Sequence, residues 1–281
     1  MLAGIIPDID KFDGDEILLL LVSGVISLFG LVHWLFRLRS IPKLGCHPLY
    51  RAPFYLAVLA GFLFLGFVLR HWVDPQIWET SGYELLVLLM GGACLTVALK
   101  LLPWLGLSLR DDAFERRNFA AVLALSGMAL GVLLTYAGAN IGTGPSFWNN
   151  VFSSFLATGA LLATWVMVGT AGGAAASIVE ERDNASGLRL GLFLVAEGII
   201  LGRAIAGNWT SATATTQDFV RDAWPAALLC AVAVFAERAL RPTPHNPRPS
   251  LPTHGVAPGV VYLLLAALWC AHLGWWEGAP K

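Results

Sequence analysis

Apolar residues along this chain come in long runs, such as "LLLLVSGVISLFGLV", divided by short segments that hold much of the charge. A helix needs about 17–25 residues to cross the hydrocarbon of a bilayer. Eight stretches meet that need: Glu16–Phe36, Pro53–Arg70, Glu84–Leu107, Phe119–Gly138, Val151–Val179, Leu188–Gly207, Ala223–Leu240 and Val256–Trp275. The pattern predicts an all-α fold, a polytopic transmembrane helix bundle of about eight spans, with residues 1–281 as a single integral membrane domain. The fifth stretch is long for one span. Its end, "GTAGGAAAS", reads as a tilted or partly extramembrane extension.

Composition agrees. Hydrophobic residues make up 57% of the chain and charged residues 13%, about half the charge of an average soluble domain. Basic residues are biased to one side. Joining segments one, three, five and seven hold Arg37, Arg39, Lys43, Arg51, Lys100, Arg110, Arg116, Arg117, Arg182, Arg189, Arg238, Arg241 and Arg248, thirteen of the eighteen. Short loops rich in Lys and Arg stay in the cytoplasm, so both termini are expected outside it. Trp72, Trp78, Trp148, Trp209, Trp275 and Trp276 gather at the opposite, outer ends, where an indole suits the membrane interface. The N-terminal "MLAGIIPDIDKFDGDE" is acidic and lacks the basic start of a signal peptide, so the first helix is expected to be retained.

A longer period overlies the apolar runs. "ERRNFAA" at 115–121 returns as "ERDNASG" at 181–187, and steps of sixty-six residues from Arg51 reach Arg117, Asp183 and Pro249. Each lies just before an even-numbered span. Four tandem two-helix hairpins account for this, and two spans per copy keep all copies parallel. In this reading Glu115 and Glu181 lie near the first turn of the next helix, at the positive end of its dipole. Asn118 and Asn184 cap exposed amides, and Arg117 and Arg182 hold the turn at the cytoplasmic face. The alternative is a binding site for a partner or a lipid headgroup.

Residues 84–210 carry "NFAAVLALSGMALG", "NASGLRLGLFLVAEG" and "AIAGNW". This core resembles the bacterial inner-membrane family called domain of unknown function 350, whose members have four spans and two tandem hairpins marked by an "N-x-A-A/G" helix start. The resemblance implies a bacterial plasma membrane location and a repeated-hairpin fold; the family has no established activity. The flanking hairpins, 16–70 and 223–275, have "YRAPFY" and "PTHGVA" in place of the Asn motif.

Small residues recur at Gly127 and Gly131, Gly187 and Gly191, and Gly198 and Gly202. Four-residue spacing puts each pair on one face, where backbones can approach closely in lipid. The sharpest anomaly is "VAEGIILGRAIAGNW", which places Glu197 near the centre of the sixth span and Arg203 six residues on. A charge at bilayer depth costs about 2.5–3.5 kcal/mol on insertion scales. Six residues turn a helix by a net 240° or so, so the two are not expected to neutralise each other. A second polar series, His33, Lys100 and Glu237, lies toward the cytoplasmic ends of odd spans. Lys100 reads as a snorkelling lysine, with pairing to Glu197 as the alternative, and Pro103 should kink or end its helix.

His33, His71 and His272 lie at conflicting depths, unsuited to axial haem ligation. Cys46, Cys94, Cys230 and Cys270 form no close pair of the kind a metal or redox motif needs. No cofactor is expected. The net charge of −1 gives no basis for nucleic-acid binding. The outer loop "YAGANIGTGPSFWNN" reads as a compact polar turn that caps the bundle or touches a partner. Three classes follow: a structural or accessory membrane subunit packed against lipid, other membrane subunits or a second copy; a small-ion, proton or cationic-solute pathway using Glu197, Arg203 and Lys100; and an intramembrane enzyme, for which no residue cluster at one depth is found. The first is the expectation and the second its alternative.

Overall fold

In the computed structural model, residues 12–40, 48–73, 77 and 80–274 are described. Lys11, Lys43, Cys46, Trp78, Trp275, Trp276 and Lys281 lie outside the described residues, as do the side chains of Arg37 and Arg39. The chain folds as α1 (Gly14–Ser40), α2 (Ala52–His71), α3 (Ser81–Leu101), α4 (Phe119–Gly138), α5 (Phe147–Thr170), the short α6 (Ala174–Val179), α7 (Asn184–Ile205), α8 (Ala212–Leu240) and α9 (Ala257–His272). Six of these, with α9 and its leading turn, are long and apolar enough to cross a membrane, seven spans among the described residues. The remaining long helix, α7, lies among them. This is a multi-pass integral membrane protein.

The helices form two rows. One contains α2, α4, α7 and α9, each packed on the next; the other contains α1, α3, α5 and α8. Packing follows the interval between hairpins rather than the hairpin itself. Ser27 Oγ in α1 donates to Leu89 O in α3 (2.5 Å), and Tyr83 OH in α3 donates to Glu16 Oε2 in α1 (3.1 Å). Thr143 N beyond α4 donates to Asn208 Oδ1 beyond α7 (3.0 Å). Helices of one row are therefore parallel and nearly in register. α1 begins and α9 ends at one face of the bundle, here the terminal face; the turns before α2, α4, α7 and α9 make up the hinge face.

Glycine lets the central pair meet. A Cβ on Gly127 would lie 2.1 Å from Gly191 O, and one on Gly138 would lie 2.1 Å from Gly202 O. Gly187 approaches the Ala120 backbone as closely, and Gly198 approaches Gly131. Backbones in contact leave no room for side chains between them, so α4 and α7 seat against each other along their whole length. The main core, including Leu125, Met128, Leu161, Trp165, Phe193 and Leu194, surrounds this seam. Ile17, Leu21, Val25, Leu63, Val220 and Leu268 point outward from the peripheral helices, as lipid-facing residues do.

Several boundaries depart from expectation. The fifth stretch is two helices, because Gly173 has φ 79° and ends the run where a left-handed residue is needed. α8, the seventh predicted stretch, starts at Ala212, eleven residues earlier than its apolar run. Ser211 caps it, and Pro225 lies inside it. Trp269 Nε1 donates to Asp222 O (3.0 Å), satisfying a carbonyl in the turn that a helical proline loosens. Pro103 follows the end of α3 at Leu101 and sits in a 3-10 turn over Leu102–Leu105, as expected. Trp72, Trp148 and Trp209 all lie at the terminal face, near the ends of α2, α5 and α7.

Candidate intramembrane polar site

The polar residues of interest hang on α7 and on how it starts. Asp183, in extended backbone, accepts from Ala185 N (3.2 Å) and Ser186 N (2.9 Å). Before it, Arg182 has φ 55°. α4 starts in the same way. Arg117 has φ 55°, Asn118 Oδ1 accepts from Ala121 N (3.3 Å), and Asn118 Nδ2 donates to Ile178 O (2.5 Å).

The equivalent residues are thus Arg117 with Arg182 and Asn118 with Asp183, sixty-five apart rather than sixty-six. Asn184 is not the cap but the first helical residue, and it is exposed. Neither Glu115 nor Glu181 lies in a first turn. Glu115 closes the π-helical turn Leu109–Glu115 and accepts from Arg110 Nε (2.7 Å), while Glu181 stays exposed on the turn between α6 and α7. Any short acceptor serves as a cap, so matching the asparagines shifted the alignment by one. The carboxylate that meets the dipole of α7 is that of Asp183.

Arg189 corrects the sequence reading more sharply. The sequence places it with the charge of a joining segment, yet it lies inside α7 and is fully buried. Its Nε donates to Glu237 Oε1 (2.7 Å) and its Nη2 to Glu237 Oε2 (2.5 Å), a forked pair between α7 and α8. Nη2 also donates to Ser186 Oγ (3.1 Å), and Nη1 to the carbonyl of His254 in the turn before α9. One guanidinium therefore ties α7, α8 and the entry to α9. The signal was in the sequence: Arg189 stands more than a helical turn beyond the Asp183 cap, and Glu237 three residues before the end of α8. That places both about one turn below the hinge face.

Glu197, Arg203 and Lys100 are not brought together. Glu197 lies about 20 Å along α7 from its start, is completely buried, and neither carboxyl oxygen has a hydrogen-bond partner among the described residues. Cys230 of α8 lies within electrostatic reach of it. Arg203 is at the terminal face, where its Nε and Nη2 donate to Gly274 O (3.0 Å) and Leu273 O (3.2 Å) and close the end of α9. Lys100 is exposed at the hinge face with Nζ 5.3 Å from the centre of the Phe29 ring. The Lys100–Glu197 pairing is therefore not formed. Lys100 interacts with an aromatic ring at the membrane boundary.

At the terminal face the glycine-rich loop is ordered by polar contacts. Asn140 Nδ2 donates to Tyr136 O (2.7 Å), Asn150 Nδ2 to Asn140 Oδ1 (2.9 Å), and Gly207 N to Ile141 O (3.0 Å). A small cavity of about 110 Å³ lies there between Glu16, Tyr83, Asn140, Ser146 and Asn150. His71 stacks on Phe67, His272 lies beside Trp269, and His33 faces Phe29. Among the described residues no three His, Cys, Asp or Glu side chains are grouped to hold a metal ion. No protein-family model, curated protein or solved structure matches this chain.

Proposed function

We propose that this protein is a packed membrane scaffold, a structural or accessory subunit of a bacterial plasma membrane assembly. The observation that carries this reading is the α4–α7 seam: two backbones in contact around glycine, with Glu197 fully buried beside them. A seam of that kind leaves no room for water or solute between these two helices. The exposed apolar faces of the peripheral helices are suited to lipid, to other subunits or to a second copy. We also infer that the bundle is four tandem hairpins, as the sixty-five-residue recurrence of the left-handed arginine and its cap supports. Kinship with the domain of unknown function 350 family, and a cytoplasmic hinge face with outward-facing ends of α1 and α9, belong to the same reading.

The test is flux across liposomes containing the purified protein. A scaffold gives proton and monovalent cation permeability equal to empty vesicles. A second reading, a proton-carrying carboxyl at Glu197, is favoured by the lack of a partner for both its oxygens among the described residues, since an intramembrane ionisable group marks a functional site by default. Proton flux that disappears in Glu197→Gln would replace the scaffold reading with that one.

A further inference from the structure

An apolar groove opens between α1, α2 and α3. α1 leans on α3 and scarcely meets α2, and the space left, about 370 Å³, is lined by Leu31, Tyr55, Phe62, Leu88, Leu95 and Leu99 among others. Of its three hydroxyl side chains, Ser27 already donates to Leu89 O, Thr96 is buried and Tyr55 stands near the start of α2, so most of the wall is a hydrocarbon surface.

Three features define the occupant. The first is length. The α3 wall runs from Leu88 to Leu99, about 16 Å along the helix. The hydrocarbon core is about 30 Å thick, so the groove spans one leaflet, from the hinge face to mid-membrane. The second is width. A helix with its side chains is about 10–12 Å across, and the groove volume would hold less than one turn of it, so a single hydrocarbon chain fits where a helix does not.

The third is charge at the mouth. Lys100 follows the lining residue Leu99, and its Nζ lies over Phe29, next to the lining residue Leu28. Arg51 lies within electrostatic reach of the lining residue Tyr55, and its guanidinium lies 5.1 Å from the centre of the Phe114 ring. Both cations stand at the hinge end of the groove, where a headgroup phosphate would sit above a chain in that leaflet. No ion pair joins Lys100 to a carboxylate among the described residues.

We propose that this groove binds one acyl chain of an anionic phospholipid from the leaflet at the hinge face, with its phosphate held by Arg51 and Lys100. The inference does not depend on whether the protein is a scaffold or conducts protons. Native mass spectrometry of the full-length protein, titrated with phosphatidylglycerol or with phosphatidylcholine of the same chains, tests it. Phosphatidylglycerol should be retained in preference. Each cation near a headgroup is worth about a fivefold change in affinity, so Arg51→Gln with Lys100→Gln should weaken phosphatidylglycerol about 25-fold and leave phosphatidylcholine little changed. Val58→Phe, which fills the groove from α2, should lower retention of both lipids while the melting profile shows the bundle intact. Equal retention of the two lipids, unaffected by the double substitution, would overturn the headgroup assignment. Retention unaltered by Val58→Phe would overturn the groove.

Discussion

Arg189 and Glu237 face each other across two helices with both carboxylate oxygens engaged and almost no solvent exposure. Removing one partner of such a pair strands a charge and costs about 3–5 kcal/mol, whereas replacing both with apolar groups is often neutral. Arg189→Met alone should therefore lower the stability of the detergent-solubilised protein by that amount. Arg189→Met combined with Glu237→Leu should recover most of it. Chemical denaturation of these two variants, of Glu237→Leu alone and of the parent measures the coupling, and an additive double variant would mean that the pair is not energetically linked.

The glycine seam makes a position-specific prediction. Gly127→Ala forces a methyl onto the Gly191 carbonyl and should separate α4 from α7, with a large loss of thermal stability. Gly66→Ala, in α2, has no heavy atom within 4 Å of the new Cβ and should be neutral or slightly stabilising, since Ala is preferred to Gly in a helix by about 1 kcal/mol. Comparable losses from both would show that the seam is not specially tight.

At the hinge, Arg182 holds a left-handed backbone at φ 55°, a conformation that costs an ordinary residue about 1–2 kcal/mol. Arg182→Gly should raise the unfolding free energy by about 1 kcal/mol and Arg182→Val should lower it. Equal effects from the two substitutions would mean that the turn relaxes. That an arginine stands there at all points to a use for its charge at the membrane surface.

Asn118→Ala removes both the cap of α4 and the bond to Ile178 O. Loss of a cap alone costs about 0.5–2 kcal/mol, so the variant should sit at the upper end of that range or beyond. Asn118→Asp keeps the acceptor and loses only the donor, and should fall between the variant and the parent in melting temperature.

Cysteine mapping in intact cells checks the orientation. A single cysteine replacing Glu181 should react with a membrane-impermeant maleimide only after permeabilisation, and one replacing Asn208 should react without it. The opposite pattern would reverse the assigned faces.

The eight apolar runs carried most of the architecture in plain view, because a helix in lipid must be both long and apolar. α8 was truncated in the reading because its first residues, "ATATTQDFVRD", are polar; they extend a helix already started by Ser211, past the apolar block. The groups around α7 were less legible. Glu197 stood out as a charge in an apolar field, but Arg189 looked like loop charge, since one turn of helix at a membrane boundary and one turn of loop have the same composition. The site residues could not be grouped by sequence alone: which face of α7 meets α8 depends on the glycine seam turning the other face to α4.

Packing at the hairpin interval also sets a clock for assembly. α1, α2, α4 and α5 each find their main neighbour not in the hairpin they belong to but in the next one, some sixty-five residues later. At synthesis rates of about 5–20 residues per second, a newly inserted α4 waits roughly 3–13 seconds for α7, with Gly127, Gly131 and Gly138 bare to lipid meanwhile. The face that is tightest in the finished protein is thus open to lipid for seconds while the chain is being made.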